Sequence, residues 1–330
     1  MITAKNDNIQ FLRAMAIIAV VCIHTCPIGM SQVIFRPFIN FAVALFVFLS
    51  GYLTKIENDN WLFFYKKRIT RVLIPYIIWS TIYTFYDYLF VTNDLSILPH
   101  HLLFASVRAH LYYIPVYIGL VIITPLMGTL VKSRYRHIAW MVTPFYMILF
   151  FYTRFVPQVH IKPLVLTILG LCFFSWFSYY YFGILCGNSI CKKTYSRKLL
   201  YTLLFFSILL QITEAYILYK SFNYTNCGTQ GKLSTLLTNM IILLVVYSFL
   251  SSSRLNIQCS FLHKIGDYSF GIYLCHILVI NVFSTFSIFS FYRSLPYPIN
   301  SLLILFISFA FCYCCDHILS SRLGKYLGIR

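Results

Sequence analysis

The chain has 330 residues, 60% of them hydrophobic and only 10% charged, with a mean hydropathy of +0.78. Soluble domains carry about a quarter charged residues, so this composition excludes one and leaves an integral membrane protein. The net charge of +18 does not indicate a nucleic-acid partner, because the 26 basic residues fall in short clusters between apolar runs, where membrane topology explains them.

A spanning helix needs roughly twenty apolar residues. About ten such runs follow one another, near Ile9–Gly29, Val33–Leu53, Val72–Val91, Tyr112–Val131 and Ile138–Phe155, then Leu164–Tyr181, Leu199–Tyr219, Leu233–Leu250, Tyr268–Ser287 and Ile299–Leu319. The predicted fold is therefore all-α, a polytopic helix bundle forming one membrane domain over residues 1–330. With the N-terminus in the cytoplasm, 19 basic residues fall on the inner side and 7 on the outer, so both termini are expected to be cytoplasmic. Arg36, Arg108, Lys220 and Lys232 belong to the outer group. The first run is read as a span and not a cleaved leader, since Arg13 interrupts it and no small-residue cleavage site follows.

That first run holds Arg13 and His24. Eleven residues at 100° each return to within about 20° of the starting direction, so both side chains share one face about 16 Å apart. Either Arg13 snorkels to the interface, or the shared face lines a polar path. His24 is either a hydrogen-bonded packing residue or a functional imidazole, which in the far half of the span can accept a proton from a hydroxyl near neutral pH.

The next cluster is "FFYKKRITRVLIPY", whose Lys67, Arg68 and Arg71 share a broad helix face. It is either an ordinary inner-side anchor or a phosphate clamp. Its basic part reads as a short interfacial helix, with Pro75 expected to kink or cap the start of the third span. In "HLYYIPVYIGLVIITP", His110 lies at the outer side, and Tyr112 and Tyr113 are either aromatic belt or a platform for sugar rings. Asp87 and Glu214 lie in the outer halves of their spans, and either could orient the His24 imidazole or instead sit solvated in the headgroup zone. In "IGDYSFGIYLCH", Ser269, Tyr273 and His276 form one polar stripe, a buried network or a cavity wall.

Eleven cysteines lie mostly within apolar runs, and no spacing suggests a zinc site, so neither a metal nor a permanently bound cofactor is expected. Phosphate-loop, dinucleotide and serine-hydrolase motifs are absent from the sequence.

Five fragments, in order, carry a resemblance: "FLRAMAIIAVVCIH", "VFLSGYL", "KKRITRVLIPY", "HLYYIPVYIGLVIITP" and "IGDYSFGIYLCH". The chain resembles the integral membrane acyltransferase family three, the bacterial sugar O-acyltransferases. The resemblance implies about ten spans in the bacterial cytoplasmic membrane, acetyl-CoA as cytoplasmic donor, and a hydroxyl of a cell-surface glycan or its lipid-linked precursor as acceptor. It makes His24 the catalytic base, with Arg13 supporting the same tunnel and Arg68 and Arg71 meeting the CoA phosphates. His110 and His276 match family signatures. Some members append an extracytoplasmic esterase-like domain, which a chain ending at Arg330 is expected to lack. The competing class is a transporter or flippase for a glycan or lipid-linked intermediate. Nothing in the sequence identifies the acceptor or the oligomeric state.

Overall fold

The computed structural model describes residues 7–57, 60–155, 163–191, 195–251 and 259–329. Lys5, Lys162, Lys192, Lys193, Arg254 and Arg330, all part of the charge count above, lie outside the described residues. Among the described residues the secondary structure is helical throughout, with no strand.

The Arg13–His24 segment is one unbroken helix, α1 (Asp7–Thr25). The second span is α2 (Met30–Ile39), continuing past Asn40 as α3 (Phe41–Tyr52). Next comes α4 (Trp61–Asp87), started by Asn60, whose side chain accepts from the Phe63 N–H at 2.9 Å. Pro75 lies inside α4 and neither caps nor ends it. The expectation of an interfacial helix followed by a separate span is thereby corrected: both belong to one helix of 27 residues. A proline removes one donor, and a helix held by neighbouring helices can tolerate that loss.

The remaining helices are α5 (Leu98–Phe104), α6 (Tyr113–Ile122), α7 (Thr124–Lys132), α8 (Val142–Phe155), α9 (Pro163–Leu171) and α10 (Phe177–Gly187). They are followed by α11 (Arg197–Ser221), α12 (Leu233–Leu250), α13 (Ser260–Asp267), α14 (Ser269–Thr285), α15 (Ser290–Ser294), α16 (Ile299–Ile318) and α17 (Ser321–Tyr326).

Among the described residues, six helical stretches are long and apolar enough to cross a membrane, and up to eight if two bent pairs count as one span each. The protein is thus an all-α polytopic membrane helix bundle with six to eight candidate transmembrane helices. Two of the ten expected runs stand outside that set for physical reasons. The apolar stretch of α4 is diluted by its basic first turns and its Tyr, Ser and Thr residues, and α8 has only 14 residues. One bent pair joins α13 to α14 at 75°, and the other joins α5 to Ala109–Ile122 at 48°.

Helix α1 is central, packing on α2, α3, α13, α14 and α16. Its Ala14, Ala16, Ile17 and Val21 are fully buried. Helix α3 lies against α10 with the backbones nearly touching. A methyl group at Gly51 would collide with the Tyr180 carbonyl, and one at Gly183 or Gly187 with the Phe48 or Tyr52 carbonyl. In lipid, where apolar burial gives helices little reason to associate, small residues permit such close contact. Helix α3 of this pair lines the site described next, through Val43, Phe46, Leu49 and Ser50.

Gly183→Ala is expected to lower stability by about 1–3 kcal/mol through overpacking. Gly170→Ala, where a methyl group meets nothing within 4 Å, is expected to be silent. Thermal unfolding of both variants in detergent checks this; equal Tm values would contradict the close-packing account.

Candidate active site

Three helical segments bring three histidines together. His24 is in the last turn of α1, His110 in a 3-10 turn (Ala109–Tyr112) leading into α6, and His276 in the middle of α14. Their ring centroids are 6.0 Å apart for His24–His110, 5.2 Å for His24–His276 and 5.0 Å for His110–His276. His276 is fully buried and its Nδ1 faces the carbonyls of Ile272 at 3.0 Å and Tyr273 at 2.8 Å. Two carbonyl acceptors require a donor, so the hydrogen is assigned to Nδ1 and the lone pair to Nε2. Nε2 of His276 and both ring nitrogens of His110 have no hydrogen-bond partner among the described residues. His24 is less buried than the other two and lines a cavity of about 680 Å³. The three rings do not form a metal-binding group, and no set of three such ligands occurs among the described residues.

Tyrosines lock the cluster. Tyr273 donates to the His110 carbonyl at 2.5 Å. Tyr83 of α4 donates to the Leu274 carbonyl at 2.7 Å and accepts from the Leu278 N–H at 3.0 Å, pinning α4 to α14. The Tyr83 ring packs edge-on to His110, and the Arg108 guanidinium lies over the same ring, 5.1 Å from its centroid.

Neither candidate carboxylate hydrogen-bonds to His24. Asp87 takes both guanidinium arms of Arg108, at 2.6 and 2.7 Å. The Asn281 amide oxygen, oriented to face the same guanidinium, accepts at 2.8 and 2.9 Å. Asp87 therefore anchors the residue two positions before His110. Glu214 of α11 accepts from Ser234 of α12, joining those helices.

A second cavity of about 580 Å³ contains the basic residues. Arg13, Lys55, Lys67, Arg68 and Arg71 line it against a single carboxylate among the described lining residues, Asp267. Lys67 and Arg68 rest over the rings of Phe63 and Phe64, at 5.9 and 5.0 Å, and Arg68 donates to the Leu53 carbonyl at 3.1 Å. Arg13 of α1 thus faces the same space as the α4 cluster. The stripe on α14 connects the two regions: Ser269 lines the basic cavity and Tyr273 lines both.

Four residues line both cavities: Val20, Val43, Tyr113 and Tyr273. The Tyr113 and Tyr273 rings meet at 5.8 Å. Two apolar side chains and two aromatic rings thus lie where a basic chamber and a histidine chamber adjoin.

A family model described as an acyltransferase domain matches residues 6–317. The chain belongs to this acyltransferase family. Comparison with curated proteins and with solved structures finds no match. Family membership supports acyl transfer in general as the activity of this membrane protein.

One residue of the candidate site escaped the sequence reading. Arg36, counted there only as an outer charge, is 8% exposed and lines the histidine chamber. Its Nε donates to Asn40 Oδ1 at 3.0 Å and the Gly228 carbonyl at 3.2 Å, and Nη1 donates to the Ile23 carbonyl at 3.1 Å. The available signal was a lone basic residue inside an apolar run. Beyond it, in the connection before α12, Lys232 is fully buried and its Nζ has no hydrogen-bond partner among the described residues. Burial pushes its ammonium from 10.5 down to about 8, with Glu214 opposing.

Between about pH 8 and 10.5 the unfolded chain keeps the Lys232 proton and the folded chain sheds it, so stability should rise with pH in that window. Lys232→Met should flatten the rise. Tm measured from pH 7 to 10 for both proteins tests this, and parallel curves would contradict it.

Proposed function

We propose that this protein is a membrane O-acetyltransferase. It takes an acetyl group from acetyl-CoA at the basic chamber and delivers it, at the histidine chamber, to a hydroxyl of a cell-surface glycan or its lipid-linked precursor. The observation that carries this reading is the pair of adjoining chambers that share Val20, Val43, Tyr113 and Tyr273 as lining residues. A nucleotide with several phosphates suits a chamber holding five basic side chains, with guanidinium forks at Arg68 and Arg71 and an ammonium at Lys67. The long, thin pantetheine arm suits passage between Tyr113 and Tyr273, which would bring the thioester toward His24.

In this mechanism the acceptor hydroxyl gives its proton to His24 as its oxygen attacks the thioester carbon. The C–S bond then breaks, and the CoA thiolate leaves with the proton returned from the imidazolium. His110 and His276 hold the ring environment of His24, and Tyr113 contributes a wall of the passage. Arg13 offers positive charge on the thioester's route. Asp87 and Glu214 act through the helix contacts they make rather than on His24 itself.

The basic chamber faces the cytoplasm in this reading, with both termini on that side and about ten crossings of a bacterial cytoplasmic membrane by one domain over residues 1–330. A glycan or lipid-intermediate flippase would also use two adjoining chambers, but it would have no need to bind acetyl-CoA.

The test uses purified protein with radiolabelled acetyl-CoA and membranes carrying surface glycan. His24→Ala should reduce transfer at least about 100-fold while retaining acetyl-CoA binding. Arg68→Ala with Arg71→Ala should weaken acetyl-CoA binding. Near-normal transfer by the His24 variant would reject its role, and wild-type protein that ignores acetyl-CoA would favour the flippase.

A further inference from the structure

The histidine chamber has an unusual charge inventory. Arg36 is the one permanently charged group among its described lining residues, and no Asp or Glu lines it. A guanidinium stays protonated at any physiological pH. Burying one without a counter-charge is expensive, so buried arginines are normally paired. Arg108 follows that rule through Asp87. Arg36 does not: its three bonds go to the neutral oxygens of Asn40, Gly228 and Ile23, and it forms no salt bridge among the described residues. Its Nη2 takes part in none of these bonds.

The surrounding scaffold is built to keep the charge there. The loop before α12 docks on α2, with the Gly228 N–H donating to Gln32 Oε1 at 3.0 Å. A side chain at Gly228 would strike Arg36 Cγ. Asn40, which receives Arg36, is itself held by Gln211 at 2.7 Å. Neutral packing would not need this many polar supports. The position is also informative, because the Ile23 carbonyl that Arg36 grips directly precedes His24. Among otherwise largely apolar lining residues, the wall offers amide and aromatic groups, Gln32, Asn226 and Gln230 with Tyr112 and Trp176. Such a wall suits a ring-shaped, hydroxyl-rich ligand.

We propose that the acceptor is an acidic saccharide, whose carboxylate or phosphate pairs with Arg36 and thereby sets a neighbouring hydroxyl against His24. This rests on the acyltransferase reading and names the class of its acceptor. The anion supplies the counter-charge that the protein withholds, so the site favours an acidic ligand over a neutral one of the same shape.

The test measures binding to the full-length protein in lipid nanodiscs. Methyl glucuronide, glucose 1-phosphate and methyl glucoside serve as carboxylate, phosphate and neutral probes, with acetyl-CoA binding measured in parallel. At least one acidic probe should bind about tenfold or more tightly than the neutral one, and Arg36→Gln should erase that preference with acetyl-CoA binding intact. A carboxylate preference points to a glycan acid, and a phosphate preference to a phosphorylated precursor. Equal binding of all three probes by the wild-type protein, which requires no variant to fold, would overturn the proposal. So would a preference that survives in Arg36→Gln. Loss of acetyl-CoA binding by the wild type would instead strike the acyltransferase reading, and this inference with it.

Discussion

A charged or titratable side chain inside an apolar helix bundle must find a partner or a polar cavity, and the interior of this protein is organised around that constraint. Three arginines meet it in three ways. Arg108 is neutralised by Asp87, with Asn281 completing its hydrogen bonds. Arg13 opens onto the basic chamber, beside Lys67, Arg68 and Arg71. Arg36 is held by neutral oxygens at the edge of the histidine chamber. The first arrangement is structural, whereas the other two leave positive charge available at separate chambers.

Rigidity and openness are divided accordingly. The α3–α10 contact, closed by Gly51, Gly183 and Gly187, fixes one side of the bundle at backbone distance. Tyr83 bonds α4 to the α14 backbone at Leu274 and Leu278, fixing another. Between these supports Val20, Val43, Tyr113 and Tyr273 line both chambers. Side-chain rotation at such a junction requires no helix to move, whereas separating α3 from α10 would break backbone-level packing.

Much of this was legible in the sequence because it depends on helical periodicity. Arg13 and His24 sit on one continuous helix, and Ser269, Tyr273 and His276 lie on another. Contacts between distant segments were not legible. His110 reaches the other two histidines because Ala105 adopts a left-handed conformation and a 3-10 turn follows, neither of which residue type announces. Asp87 and Glu214 looked equivalent as carboxylates within spans, and only tertiary packing gave one Arg108 and the other Ser234. Arg36 was obscured for a related reason: charge counting assigns a residue to a side of the membrane and cannot tell a solvated loop from a buried pocket. Pro75 misled because intrinsic propensity is weaker than the packing around α4.

The central claim is continuity between the two chambers. A cryo-electron microscopy structure with a non-hydrolysable acetyl-CoA analogue tests it most directly. The account predicts the nucleotide among Lys67, Arg68 and Arg71, the pantetheine between Tyr113 and Tyr273, and the acyl carbon within about 4 Å of the His24 ring, leaving room for the attacking oxygen. An analogue lying wholly on the basic side, with Tyr113 and Tyr273 still in contact across the passage, would contradict it.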